Sequence, residues 1–228
     1  MVKSMMIAAL GAGLLAGCVS DEFEQVDLGE LPTPVYIRAV LWDVRGCCLA
    51  DGRTDPSMFG RVLADSRADF AVLRNIGPQQ AESVAKAAGL KHVSAANGLA
   101  VVSRVPPEEV KTEEYKTSGA GFMSASLFVE QSDFCINVSE FTSAVDVKTA
   151  EEVKLAFWGR GKVQFLCTEY AWKAGTAAAD CFDGKFRKVG TGLAVGRDWG
   201  AGGFSLAEEK SVGGAVFPRP GRLVVIKD

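Results

Sequence analysis

The chain has 228 residues, 48% hydrophobic and 23% charged, the balance of one globular domain that buries a sizeable core rather than of a disordered polypeptide. Its formal net charge is −3, and Lys and Arg are spread along the sequence, so there is no basic stripe of the kind that grips a nucleic acid backbone. A single histidine among six cysteines, with no C-x-x-C spacing, excludes the common zinc modules.

Lys3 gives a positive start, and residues 7–15 are apolar or small, a run far shorter than the ~20 residues needed to cross a bilayer. Leu15-Ala16-Gly17-Cys18 resembles the lipobox of bacterial lipoproteins, where small residues before the cysteine fit the signal peptidase. The resemblance implies a signal peptide over residues 1–17 and acylation of Cys18, palmitate included. Acyl chains there would hold the protein to membrane lipid, each buried methylene contributing roughly 0.8 kcal/mol. The expected location is the bacterial cell envelope, at the outer membrane rather than the inner one, because Val19 is not the Asp-type residue of inner-membrane retention. Residues 18–34 carry Asp21, Glu22, Glu24 and Asp27 and then Pro32 and Pro34. Without helical or strand periodicity they read as a tether, and acids just after the cysteine also resemble surface-export signals of some lipoproteins.

Residues 35–44 form the first core strand. Asp55-Pro56, followed by Met58, Phe59, Val62 and Leu63, marks a helix with a capping Asp and Pro in its first turn. Residues 70–76 are the next strand, and Pro78 opens a second helix that runs through Val84 and Ala88 to Gly89. Residues 92–93 and 99–102 look like paired strands joined by Asn97-Gly98. The polar stretch 104–119 reads as a surface connection. Strands follow at 122–129 and 134–141, then an amphipathic helix at 147–158 with Val147, Ala150, Val153 and Phe157 on one face, then a strand at 163–167. Beyond Trp172 the chain is rich in Gly and Ala, and short strands at 193–195, 214–217 and 223–226 suggest a second sheet half. Outside the cytoplasm Cys167 and Cys181 could pair across a loop, whereas Cys47 and Cys135 read as buried free thiols.

Three blocks carry a resemblance: Val40-Leu41-Trp42-Asp43-Val44-Arg45-Gly46, Ala68-Asp69-Phe70-Ala71-Val72-Leu73-Arg74-Asn75, and Gly98-Leu99-Ala100-Val101-Val102-Ser103-Arg104. Each is an apolar run ending in polar residues, which is how a buried strand delivers side chains to a sheet edge. In order and spacing they are similar to T-W-N-I-R-G, P-D-V-V-A-L-Q-E and G-N-A-I-L-S-R of the endonuclease/exonuclease/phosphatase family, the deoxyribonuclease I-like metal phosphoesterases. The resemblance implies an α/β domain over residues 35–228, with two packed β-sheets flanked by helices in a four-layer α/β/β/α sandwich.

The same resemblance locates the positions where chemistry would stand. Asp43 replaces the family's metal-site Asn, and Asn75 its metal-ligand Glu. A strand ending like N-T-H-L-D aligns with residues 138–142, which puts Glu140 at the His position. The G-D-F-N motif falls on residues 167–170, with Thr168 and Tyr170 at its functional positions, and S-D-H falls on 216–218, with Pro218 at the His. The family mechanism uses two histidines; this chain has His92 alone, away from every motif, and it reads as a structural strand residue.

Two functions follow. A catalytically impaired family member would act as a binding or envelope-associated module, with no cofactor expected and its protein partner unspecified. The alternative is a divergent phosphoesterase dependent on Mg²⁺, with Asp43 and Glu140 as metal ligands, and Glu169 and Asn75 completing an oxygen shell. In either case Arg45 and Arg104 could contact an anionic ligand or pair with Asp43. No G-x-S-x-G elbow is present, and the Gly-rich stretch 200–203 lacks the Lys-Ser/Thr of a phosphate-cradling loop. An unrelated α/β lipoprotein is the third reading.

Overall fold

Continuous apolar runs make strands that are buried on both faces, and the first half of the chain builds a sheet from them. The computed structural model describes residues 34–115, 120–128, 135–141, 147, 148, 151, 163–167, 186–190, 193–196 and 205–227. These belong to one unit, Pro34–Asp228. The signal peptide, Cys18 and the acidic part of the tether lie outside the described residues, as do Thr168, Glu169, Tyr170 and Cys181.

Strand β1 (Tyr36–Asp43) runs parallel to β2 (Phe70–Arg74), with Asp43 opposite Arg74. Helix α1 (Pro56–Asp65) lies in the crossover between them. It starts at Asp55, whose carboxylate accepts from the N–H groups of Ser57 and Met58 at 3.0 and 3.3 Å, with Pro56 supplying the preset φ of a first turn. Helix α2 (Pro78–Ala88) ends at Gly89, whose φ of 71° is the left-handed cap that glycine allows. Strands β3 (His92–Ala96) and β4 (Leu99–Ser103) form a hairpin. Its turn residues Asn97 and Gly98 both have positive φ, 53° and 77°, matching the strand twist.

The remaining strands are β5 (Pro107–Tyr115), β6 (Ala120–Phe128), β7 (Cys135–Phe141), β8 (Val163–Cys167), β9 (Phe186–Gly190), β10 (Leu193–Gly196), β11 (Ser205–Val212) and β12 (Gly221–Lys227). They complete two six-stranded sheets, one in the order β11-β12-β1-β2-β4-β3 and the other β5-β6-β7-β8-β10-β9. Alternation along β1 sends Ile37 and Ala39 to one side, where with Phe70, Val72, Leu99 and Val101 they meet Met123, Ala125 and Leu127 of β6 between the sheets. Val40 and Trp42 go to the other side, under Phe59 and Leu63 of α1 and Ala81 and Val84 of α2. The two helices approach so closely that a Cβ on Gly60 would lie 2.4 Å from the Val84 carbonyl oxygen. Among the described residues both clusters draw on Val35 and later positions. The architecture is the expected one, two packed sheets with helices.

Three expectations are corrected. Residues 107–115 are not a loop but strand β5, which among the described residues pairs only with β6 and so forms a sheet edge; an edge strand in water keeps charges such as Lys111 and Glu109, which pair at 3.7 Å. Residues 214–216 form a 3₁₀ turn instead of a strand, entered through Gly213 at φ 101°. The last strand, β12, does not extend the second sheet: it returns antiparallel to β1, Tyr36 opposite Lys227, and β11 pairs outside it. Of the expected helix at 147–158, residues 147, 148 and 151 are helical and the rest lie outside the described residues.

Candidate functional site

The parallel pair β1 and β2 ends with two polar residues side by side, and these form the centre of the site. Asp43 closes β1, and Asn75 follows β2 in the left-handed region at φ 54°, a conformation Asn tolerates better than most residues. Asn75 Nδ2 donates to Asp43 Oδ1 at 2.7 Å. The other carboxylate oxygen, Oδ2, accepts from Arg219 Nη1 at 3.2 Å. The Asp43 side chain is only 8% exposed, whereas that of Arg219 is 50% exposed.

The loop that presents Arg219 is locked by the residue before Asp43. Trp42 is buried, and its indole Nε1–H donates to the Arg219 carbonyl at 2.9 Å. Its ring packs on Phe59 and Phe217 at centroid distances of 4.7 and 4.9 Å. Gly213 and Gly221 flank it, and a Cβ on Gly221 would sit 2.6 Å from Trp42 Cδ2. The 213–221 strap therefore wraps the indole, and a strap held at both glycines carries the guanidinium to Asp43.

On the other side the chain leaves β1 through a left-handed turn, with φ of 49°, 68° and 57° at Arg45, Gly46 and Cys47. Non-glycine residues in this region are strained and persist where surrounding bonds over-determine them. Here Gly46 N–H donates to the Asn75 carbonyl, Gln80 Nε2 donates to the Gly46 carbonyl at 2.8 Å, and Gln80 Oε1 accepts from Gly77 N–H. Arg45 donates its backbone N–H to Asp43 Oδ1 at 3.4 Å and its side chain faces solvent. Cys47 is buried, and burial, with the Asp55 carboxylate adding, pushes its thiol up to about 12. It stays protonated at neutral pH and offers no thiolate nucleophile.

The other expected residues fall elsewhere. Arg104 is a correction: Nη2 donates to the Ala68 carbonyl at 3.1 Å and lies 3.8 Å from Asp69, at the start of β2 and so roughly 20 Å from Asn75 at ~3.3 Å per residue. It pairs with Asp69 and not with Asp43. His92 begins β3 opposite Ser103, also at that far end. Glu140 lies on β7 in the second sheet, its Cα paired with Met123. Pro218 is exposed, directly before Arg219. Sequence reasoning missed Arg219, Trp42 and Gln80. The signal available for the first was a cation in the Pro218-Arg219-Pro220-Gly221 stretch, one step beyond the lost histidine.

A divalent ion in this fold needs anionic oxygens free to bind it. Among the described residues the set does not fit one: both oxygens of Asp43 are engaged, one of them by a cation, and the neighbour on β2 is an amide. Among the described residues no group of three or more His, Cys, Asp or Glu could hold a metal ion.

No protein-family model and no curated protein matches the chain by sequence. Its structure is similar to an endonuclease/exonuclease/phosphatase family protein from Bacteroides thetaiotaomicron, at a TM-score of 0.64 and 9% identity over 86% of this chain and 98% of that one. It is also similar to the endonuclease/exonuclease/phosphatase from Bacteroides vulgatus, at 0.66 and 7% identity over 84% and 98%. A D. rerio TDP2 humanized by 14 mutations matches at 0.61 and 9% identity over 84% and 98%. The chain thus has the endonuclease/exonuclease/phosphatase fold. At its candidate site the Arg219 guanidinium lies at the carboxylate that ends the first strand.

Proposed function

We propose that the chain is a lipid-anchored cell-envelope protein, held by acylated Cys18, and a divergent member of the endonuclease/exonuclease/phosphatase family. Its domain has exchanged metal-dependent phosphoester hydrolysis for a binding role. The observation that carries this reading is the Arg219 guanidinium at 3.2 Å from Asp43. A dication brought to Asp43 would be repelled by the Arg219 guanidinium and would have to displace it from the carboxylate. The loss of histidine adds to it, because one imidazole, at the far end of the sheet, leaves no acid/base pair for the attacking water. Arg45, Asn75 and Arg219 expose donors around one strand end, and a ligand bound there is expected to present an anionic or carbonyl oxygen.

The test has two arms. Full-length protein expressed with labelled palmitate should incorporate it, and Cys18→Ser should not; equal labelling overturns the anchor. Residues 19–228 should show no Mg²⁺-dependent cleavage of bis(p-nitrophenyl) phosphate. Turnover that Asp43→Ala abolishes would establish the rival reading, a divergent phosphoesterase.

A further inference from the structure

Among the described residues, α1 and α2 cover the helix-side face of the first sheet only in part. Beyond α1, over β12 and β11, lies an open groove of about 650 Å³. Val212, Leu223 and Val225 give it an apolar floor, and Arg67, just beyond α1, and Arg38 of β1 are both among its lining residues. Arg67 is exposed and Arg38 half-buried.

Strand register extends this face to the end of the sheet. Tyr36 and Arg38 share one side of β1, the side of Val40 and Trp42, and Tyr36 pairs with Lys227 of β12. Tyr36 is 45% exposed, and Lys227 is exposed beside it. The acids on the groove are Asp65 and Glu208, and Glu208 is already neutralised by Lys210 at 2.7 Å. That leaves Arg38 and Arg67 against Asp65 on the groove, with Lys227 beside it followed in sequence by Asp228, so the patch keeps a small excess of positive charge in a chain whose net charge is −3.

The location of the patch matters as much as its charge. The compact unit begins at Pro34, two residues before Tyr36, so the chain that leads back to Cys18 leaves the domain at this end. An exposed aromatic ring among cations, with an apolar floor behind, is the composition of a membrane-interface surface. We propose that this face, formed by Tyr36, Arg38, Arg67 and Lys227 around the groove, docks on the anionic headgroups of the bilayer. The inference rests on the lipid-anchored reading, since a tether at this end is what brings the face to a membrane.

The decisive assay is vesicle flotation with residues 19–228, which lack the leader and Cys18 and keep the whole compact unit from Pro34 onward. Vesicles of phosphatidylglycerol and phosphatidylethanolamine are compared with vesicles of phosphatidylcholine. We expect binding to the anionic vesicles at low salt, loss of it at high salt, and none to phosphatidylcholine. The Arg38→Gln/Arg67→Gln/Lys227→Gln triple variant should weaken binding by at least about tenfold. Tyr36→Ser should weaken it too, and Arg53→Gln, on the 48–55 loop, should not. Circular dichroism confirms that each variant is folded; Lys227→Gln alone, at a solvated strand end, serves if the triple variant is not. Absence of binding, or binding indifferent to these substitutions, overturns the inference. Either outcome is independent of palmitate labelling of Cys18, so failure here and failure of the anchor are told apart.

Discussion

Arg219→Met removes the cation from Asp43 while keeping most of the apolar stem. Asp43 has an 8% exposed side chain and Arg219 a 50% exposed one, so the pair lies between two regimes. Exposed ion pairs are worth about 0.2–1 kcal/mol, and breaking a fully buried pair costs about 3–5 kcal/mol. The strand-end geometry, with Asn75 already satisfying one oxygen at 2.7 Å, argues for the lower half of that span. We expect a loss of about 1–2 kcal/mol, which for a domain of this size lowers Tm by roughly 2–8 °C. Urea unfolding of the wild type, Arg219→Met, Asp43→Asn and the double variant closes a thermodynamic cycle. The coupling energy should be about 1 kcal/mol and favourable, and the double variant should be more stable than the sum of the single losses implies. A coupling within about 0.3 kcal/mol of zero would refute the reasoning, because independent sites behave that way.

Gly221→Ala places a methyl 2.6 Å from the Trp42 ring, so calorimetry should show a destabilisation of about 1–3 kcal/mol together with loss of the Arg219 to Asp43 coupling. Gly60→Ala tests a competition of signs: helix propensity alone would favour it by about 1 kcal/mol, yet the new Cβ meets the Val84 carbonyl at 2.4 Å, and we expect the variant to melt lower. The Asp55 carboxyl is held below the usual range, chiefly by the Ser57 hydroxyl and then by the backbone N–H groups it caps. A lowered pKa stabilises the fold above the unfolded value of about 4, so this contribution is lost as pH falls through the folded value, and Asp55→Ala should flatten that part of an acid-unfolding curve. Cys47 has the opposite sign: with its thiol pushed up to about 12, folding holds a proton that the unfolded chain releases near pH 8.5–9, about the ordinary range. Stability should therefore decline above that pH, and iodoacetamide should label Cys47 only in the unfolded protein.

Much of the first sheet was legible because its elements carry local signals. β2 and β4 are continuous apolar runs because both faces are covered, and Asp55-Pro56, Pro78, Gly89 and Asn97-Gly98 mark where helices and the hairpin begin or end. β5 and β11 were not legible, because an edge strand in water keeps alternating charges and resembles a loop. The return of β12 to β1 is a pairing across most of the chain, and nothing in Leu223 or Val225 announces which sheet they join. At the site, Asp43 and Asn75 could be placed together because they end parallel neighbours. Arg219 could not, since a strap that wraps Trp42 depends on two distant glycines and one indole N–H.

The most direct measurement is thermal unfolding of residues 19–228 with and without Mg²⁺. A binding site held at about 100 times its Kd would stabilise the fold by about 2.7 kcal/mol, several degrees in Tm. With Arg219 on Asp43 we expect no shift at millimolar Mg²⁺. A saturable rise that Asp43→Ala removes would mean that the carboxylate binds metal after all, and that the guanidinium does not take the place of a cation.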